Sequence, residues 1–381
     1  MISANMAKTR RPSVSIWNAI SRVLHSVLLM IQILIFLLLL VSAYAYKIKP
    51  EQALLTPFLC FTFPFFALAN LVMGVVWLFR LRIWALLSML GFVLTFDAHQ
   101  AWFPMGLGTE PVVESDASSK ELHLLTYNIM YMDYPRENES DPLHPSLAYI
   151  RDTDADVVCL QEAGSIFLNQ TLKLPEVRSA FKKYPYVRSG SYEGRYSVVC
   201  LSKYPILRFW RVEYPSLSNS SFVYDIKMGE DTIRLINNHL ESNKLDPAVK
   251  KKATDVLFNR TSDDLTGVAE AMGNKVGNAT AIRANQAIKI AAVIADSPHP
   301  VVVCGDFNDI PGSFTYRTIR EGLKDAWIER GRGWGNTFHD NFFLFRIDYI
   351  LSDPRLEVLS VQRDKQRYSD HYPLQAKLRL P

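Results

Sequence analysis

The segment VVVCGDFNDIPGS, Val301–Ser313, follows an apolar run with an acid, an amide and a second acid crowded around Phe307. Four apolar residues bounded by Gly, Asp, Asn and Pro have the pattern of a short strand buried on both faces. On an extended chain Asp306 and Asn308 lie on one side while Phe307 points to the other. One face then carries an anionic oxygen beside a neutral amide, a pair suited to an oxygen-seeking cation and a phosphate group. A plain turn is the competing explanation, because Asp, Asn, Pro and Gly are ordinary turn residues.

The same ending recurs along the chain. Asn128 closes LLTYN, Glu162 closes VVCLQE and His239 closes LINNH, while Asp348 lies in FRIDYIL and Asp370 with His371 in YSDHYPL. Each has an ordinary structural explanation when taken alone. Repetition after so many apolar runs points to one pocket at strand ends, where α/β folds expose reactive groups.

The elements that must carry these residues are mostly strands. ELHLLTYNIM, DADVVCLQEA, YSVVCLSKYPI, SFVYDIKM, DTIRLINNHL, PVVVCGDFND, FRIDYILSD, LEVLSVQRD and HYPLQAKLRL all read as strand-like. Between them, 283–296 places Ala287, Ile290, Ala291 and Ile294 on one helical stripe, and Ser313 is a natural N-cap. Many strands with few helices argue for sheet packed on sheet with helices outside. Residues 241–281, charged and rich in Asn and Gly, read as an insertion and a candidate lid. Cys60, Cys159, Cys200 and Cys304 sit in apolar runs without disulfide or zinc-ligand spacing, so they read as small buried hydrophobes.

Composition divides the 381 residues at about position 104. The first part holds eight Lys/Arg and two acids, which leaves 34 basic and 36 acidic residues in the remainder. The net charge of +4 therefore belongs to the N-terminal part, and the larger part lacks the basic surface usual in nucleic-acid binders. Three apolar stretches, 23–46, 53–79 and 83–103, are each long enough for the ~20 residues of a transmembrane helix. A signal peptide ending near Ala43-Tyr44-Ala45 is the alternative for the first, whose apolar core is long for that role. Lys8, Arg10, Arg11 and Arg22 precede the first stretch, and Arg80 with Arg82 separates the second from the third. The positive-inside tendency then places everything after residue 104, a polar linker over 105–120 included, outside the plasma (inner) membrane. Lys47 and Lys49 in the first connection run against that orientation.

The motifs TYN, LQE, SKYPI, NNHL, GDFN, RIDYI and SDH stand in one order over 121–381. In that order they resemble the endonuclease/exonuclease/phosphatase superfamily, which includes pancreatic deoxyribonuclease, apurinic endonucleases, neutral sphingomyelinases and inositol-polyphosphate phosphatases. The resemblance implies a four-layer α/β sandwich, two packed central sheets flanked by helices, following the three-helix transmembrane region. It also implies metal-dependent cleavage of a phosphate ester, with Mg²⁺ or Mn²⁺ as cofactor. Glu162 would be the principal metal ligand, helped by Asn128 and Asp370. Asp306 would position or deprotonate the attacking water, Asn308 would hold the phosphate, and His371, oriented by Asp348, would hydrogen-bond it opposite His239. The acid that buttresses the first histidine in deoxyribonuclease-like members has no clear counterpart here, and Arg283 in IRANQA matches a helix to which a structural role is given.

These readings converge on a membrane-anchored phosphoesterase. Its expected partners are the lipid bilayer and a phosphodiester or phosphomonoester, with a phospholipid or lipid-linked phosphate favoured over nucleic acid. A Mg²⁺-dependent nuclease on the outer face is the alternative within the enzymes. A catalytically silent, membrane-docked binding module is the alternative outside them.

Overall fold

The computed structural model describes residues 16–53, 55–106, 120–133, 143–164, 173–192, 195–216, 218–243, 265–340 and 343–380. Most of the 105–120 linker and the first part of the candidate lid fall outside these residues. The chain divides into two compact units, one drawn from 1–42 and 62–96, the other from 43–61 and 97–381.

The smaller unit is helical. Helix α1, Ile16–Tyr44, and helix α2, Thr56–Phe79, have 29 and 24 residues, and both are apolar along their length. Helix α3, Ala85–Leu94, is shorter. Backbone groups satisfied within the helix leave side chains to join one helix to another, and here three polar ones do so. Gln32 Nε2 donates to Asn70 Oδ1 at 3.2 Å, Asn70 Nδ2 donates to the Ser88 carbonyl at 2.9 Å, and Ser88 Oγ donates to Gln32 Oε1 at 3.3 Å. All three residues are buried, so the network ties α1, α2 and α3 together at one level.

The third apolar stretch departs from the expectation of one span. After the ten residues of α3 the chain turns at Thr95, and the seven-residue helix α4, Phe96–Trp102, begins. Thr95, the residue that follows α3, leaves helical geometry at φ −111° and ψ 19°, and its Oγ1 donates to the Gly91 carbonyl at 2.8 Å. Neither piece reaches the ~20 residues a crossing needs. Among the described residues two helices are long and apolar enough to cross a membrane, Ile16–Lys47 with its terminal 3₁₀ turn and Thr56–Phe79.

The larger unit is a strand-rich α/β body. Its strands are β1 (Glu121–Asn128), β2 (Val157–Gln161), β3 (Tyr186–Tyr192), β4 (Arg195–Ser202), β5 (Ile206–Arg211), β6 (Ser220–Met228) and β7 (Asp231–His239). They continue with β8 (Val301–Asp306), β9 (Lys324–Asp325), β10 (Phe338–Asp340), β11 (Phe343–Phe345), β12 (Asp348–Ser352), β13 (Glu357–Arg363) and β14 (Leu374–Arg379). One six-stranded sheet has the order β13-β14-β1-β2-β4-β3, the other β5-β6-β7-β8-β12-β9, and β10 with β11 forms a separate ribbon. Each large sheet contains one parallel pair, β1 with β2 and β7 with β8, among antiparallel neighbours.

Three apolar cores define four layers. Between the sheets lie Leu122, Leu124, Val157, Cys159, Leu235, Val302, Cys304 and Ile350. Outside the first sheet, Leu147, Ile150, Val177 and Phe181 bring in the helices Pro145–Thr153 and Pro175–Phe181. Outside the second, Ala287 and Ile290 come from the long helix Leu265–Ala295, and Tyr316 and Ile319 from Phe314–Arg320. The sandwich expected from the sequence is thus the fold observed. Ser313 caps the Phe314–Arg320 helix by accepting from the Tyr316 N–H. The four cysteines are free and buried.

Strand β3 has no clear signature, because YVRSGSY reads as a turn. Its Gly190 is explained by packing: a Cβ there would sit 2.1 Å from the Phe222 ring of the facing sheet. Gly305 is constrained more severely, with φ +114° and an added Cβ only 2.1 Å from the Asn238 carbonyl oxygen. A Gly305→Ala substitution must move the backbone immediately before Asp306. It should cost about 2 kcal/mol or more, read as a lowered melting temperature, while an unchanged melting temperature would contradict this account of the strand end.

Candidate active site

The period of two along each strand builds the site. Inward-facing positions change character on the way to the strand ends: Leu122, Leu124, Thr126 and Asn128 on β1, Val302, Cys304 and Asp306 on β8, Leu235, Asn237 and His239 on β7. Strand register then sets lateral neighbours. His239 pairs with Asp306 across β7 and β8, and Asp348 pairs with Asp306 across β8 and β12.

Asp306 is the centre of the group and is 1% exposed. Its Oδ1 accepts from the Asn308 backbone N–H at 2.8 Å, and its Oδ2 accepts from Asn308 Nδ2 at 3.2 Å and Asn128 Nδ2 at 3.1 Å. The Asn128 amide also donates to Glu162 Oε1 at 3.3 Å, so one amide from the first sheet joins two carboxylates. Glu162 and Asn308 both have positive φ, 50° and 52°, an uncommon backbone state for residues with side chains. Each turns the chain sharply just past a strand, and Asn308 Nδ2 fixes its own turn by donating to the Leu240 carbonyl at 3.0 Å.

The two histidines face this cluster. His371 Nδ1 lies 2.8 Å from Asp348 Oδ2, which directs Nε2 toward Asp306 Oδ2 at 3.8 Å. His239 Nε2 is 3.6 Å from Glu162 Oε1 and 3.7 Å from Asp306 Oδ2. These separations are longer than a hydrogen bond and set both imidazoles against the two carboxylates. Asp370 is held by Ser369, whose Oγ donates to the Asn128 carbonyl at 2.7 Å and lies 3.3 Å from Asp370 Oδ1. The structure therefore gathers all eight residues singled out in the sequence: Asn128, Glu162, His239, Asp306, Asn308, Asp348, Asp370 and His371.

Burial sets the electrostatics. It pushes the Asp306 carboxyl up to about 7, with Asp348 adding to the rise and His371 opposing it. Glu162 is also raised, by burial and then by Asp370. Burial alone would lower His371, but the Asp348 and Asp306 carboxylates outweigh it and hold the imidazole well above its ordinary range. Four carboxylates around two imidazoles form a site short of positive charge.

A hard divalent cation fits that deficit. Among the described residues, Asp306, Asp348 and His371 alone bring three ligand-type atoms of His, Cys, Asp or Glu within 4.8 Å of one another. The His371 Nδ1 is already engaged by Asp348, so this trio is better suited to proton handling than to coordination. The carboxylates of Glu162 and Asp370 are oxygen donors of the type that suits Mg²⁺ or Mn²⁺, whereas the Asn128 oxygen accepts from the Met130 N–H at 3.1 Å, so that amide would have to turn over to join them.

A profile of the Endonuclease/Exonuclease/phosphatase family matches residues 125–371. The chain belongs to that family. Dependence on a divalent metal is typical of that family. Residues 25–102 match a second profile, Domain of unknown function (DUF8431). The chain is similar to Protein angel homolog 2 of Bos taurus, 24% identical over 240 residues, which is 56% of this chain and 39% of that protein. The match thus spans well under half the length of that relative. Among solved structures it is similar to D. rerio TDP2 complexed with single strand DNA product, at 17% identity, TM-score 0.48, and coverage of 68% of this chain and 99% of that one. ANGEL2, a 2′,3′-cyclic phosphatase, in complex with adenosine-2′,3′-vanadate, aligns at 19% identity and TM-score 0.45, over 70% and 97% of the two chains.

Sequence reasoning did not single out the layer beneath the site. Gln161 Nε2 donates to Asn237 Oδ1 at 2.7 Å and to Thr126 Oγ1 at 3.0 Å, and Asn237 Nδ2 reaches the carbonyls of Leu160 and Val199 at 3.3 Å. This buried network joins the sheets between the apolar core and the catalytic level. Its signal in the sequence is position, since Thr126 and Asn237 stand two residues before Asn128 and His239. Thr337 was also missed; its Oγ1 accepts from the N–H groups of Ile347 and Asp348 and fixes the start of β12. Arg283, given a structural role, links the loops on either side of the site. Its Nε donates to Asp309 Oδ2 at 3.2 Å, and its NH1 donates to the Glu241 carbonyl and Asn243 Oδ1 at 2.8 and 2.9 Å.

Two outcomes follow from this geometry. Gln161→Leu keeps the volume but releases the bonds to Asn237 and Thr126, so turnover should fall by roughly tenfold to a hundredfold; unchanged turnover would show that the layer does not position the site. In chelator, Asp306 favours folding in its protonated form, because its folded value of about 7 lies above the ordinary 3.8. The folded state then binds the extra proton between those values, and stability falls as pH rises toward 7 and beyond. The melting temperature of Asp306→Asn relative to the unmodified protein should therefore rise from pH 5 to pH 8, whereas a constant difference would contradict the assignment.

Proposed function

We propose that this protein is a membrane-anchored phosphoesterase that hydrolyses a phosphate ester borne by, or held near, the lipid surface. The observation that carries the catalytic part is the convergence of eight polar side chains at neighbouring strand ends of both sheets. The membrane part rests on α1 and α2, where Met30, Leu34, Leu37, Phe65, Leu68, Leu71 and Leu78 remain largely exposed. So many exposed apolar side chains on long apolar helices call for a lipid environment. The near-neutral charge beyond residue 104 favours a membrane-associated phosphoester over a nucleic acid.

In the proposed mechanism, Glu162, Asn128 and Asp370 would hold Mg²⁺ or Mn²⁺, which supplies positive charge to the phosphate oxygens when bound. Asp306, held at both oxygens by Asn128 and Asn308, receives the proton of the attacking water. Its raised proton affinity makes it a better base than an exposed carboxylate while it still ionises near neutral pH. His371 carries a proton at Nε2 and donates it as a hydrogen bond to a non-bridging phosphate oxygen as charge develops there. Asp348 holds that ring in place and stabilises its cationic form. His239 lies on the opposite side, and the Asn308 amide, engaged by Asp306 and the Leu240 carbonyl, holds the base in position and would reach a phosphate only by giving up one of those bonds.

The test uses full-length protein with Mg²⁺ against plasmid DNA, sphingomyelin, phosphoinositide and a lipid-linked phosphate. Hydrolysis of one of the lipid substrates, abolished by chelator and reduced about a thousandfold or more by Asp306→Ala or His371→Ala, is expected. Degradation of DNA with no release from any lipid would overturn the substrate assignment. Unchanged turnover in both variants would overturn the site assignment.

A further inference from the structure

A second cluster of charge lies in the larger unit, away from the catalytic residues. An open cavity of about 440 Å³ is lined by Tyr46, Lys47, Asp97, Arg317, Arg320 and Glu321, among others. Arg317 and Arg320 stand one turn apart on the Phe314–Arg320 helix, so both guanidinium groups face the same side. Each contacts Asp97, Arg317 through NH1 and Arg320 through NH1 at 3.3 Å. Arg317 also stacks over the Tyr46 ring at 5.0 Å.

The positive charge is not fully balanced. Three cationic side chains face two carboxylates, and both Asp97 and Glu321 are exposed, so water screens much of what they offer. The Arg317 side chain is only 9% exposed, and its Nε is buried with no hydrogen-bond partner among the described residues. An unsatisfied buried donor on a guanidinium is costly and points to an absent acceptor. Burial and then the neighbouring Arg320 push the Arg317 guanidinium down to about 10, which reflects the same lack of balancing charge.

From this geometry we propose that the cavity binds the phosphate group of an anionic ligand through Arg317 and Arg320, with Lys47 at its mouth. Planar guanidinium groups match the oxygens of phosphate, and a lysine adds charge without demanding geometry. The volume accommodates more than a bare ion, leaving space for a glycerol-sized substituent. Tyr46 and Lys47 follow directly on the apolar α1, a position favoured by tyrosine and lysine at lipid headgroup level. Asp97 occupies the arginines when no ligand is bound and competes with it.

Full-length protein in detergent with chelator provides the test, read as melting temperature against added inorganic phosphate, phosphatidic acid or phosphatidylcholine. A rise of several degrees with phosphate identifies a small free anion. A rise with phosphatidic acid but with neither phosphate nor phosphatidylcholine identifies a lipid headgroup. Either rise should vanish in Arg317→Gln/Arg320→Gln, and in Asp97→Asn the half-saturating concentration should fall several-fold, since a competitor has been removed. No rise with phosphate or phosphatidic acid, or equal rises in the unmodified and double-arginine proteins, would overturn the proposal. If the double variant does not fold, Asp97→Asn decides alone: unchanged or weaker binding would make the contact a structural ion pair only. Turnover is not read, so failure here leaves the catalytic proposal untouched.

Discussion

The removal of Asp306 from water between two sheets is the constraint on which the site depends. A carboxylate in that position is costly unless its oxygens are bonded and its charge is met. The chain meets the first requirement with three donors from Asn128 and Asn308, and part of the second with His371 beyond it. The remaining deficit is shared with Glu162 and Asp370. What makes the position hard to stabilise is also what makes it reactive, because desolvation raises proton affinity and strengthens every nearby charge interaction.

The sandwich makes this arrangement possible by grading its interior. At one level the sheets meet through Leu, Val, Ile and Cys, and further along through Thr126, Gln161 and Asn237. At the strand ends they meet through the site itself. The intermediate layer bonds backbone and side chains across the sheets, so the site residues rest on a hydrogen-bonded polar floor and not directly on an apolar core. Positive φ at Glu162 and Asn308, and the close approach at Gly305, place backbone strain at the strand ends that carry the site, as it also occurs at Leu81, Asp154 and the Met130–Met132 turn.

Much of this was legible from sequence because strand periodicity carries side-chain direction with it. An acid or amide that follows an apolar run at even spacing must face the same way as the residues before it, which made Asn128, Asp306 and His239 readable as one group. Asn237 shares that spacing but was passed over, and its partner Gln161 was not identified, because sequence spacing does not say which residue of the facing sheet a buried polar side chain meets. Strand β3 was hidden because Gly190 is required by the Phe222 ring, a contact between distant parts of the chain. The third apolar stretch differs for another reason: hydropathy records transfer to lipid and not helix continuity, and the backbone leaves helical geometry at Thr95, with φ −111° and ψ 19°. Asp97, separated by over two hundred positions from Arg317 and Arg320, likewise gave no sign of pairing with them.

The central claim is that an oxygen donor set around Glu162 takes up a divalent cation while Asp348 and His371 handle protons. Calorimetric titration of the full-length protein with Mn²⁺, comparing Glu162→Gln with Asp348→Asn, separates these roles most directly. The account predicts that Glu162→Gln weakens Mn²⁺ binding at least tenfold and that Asp348→Asn leaves it within about twofold. Binding that survives Glu162→Gln and is lost in Asp348→Asn would place the cation at the Asp306–Asp348–His371 trio and contradict the account.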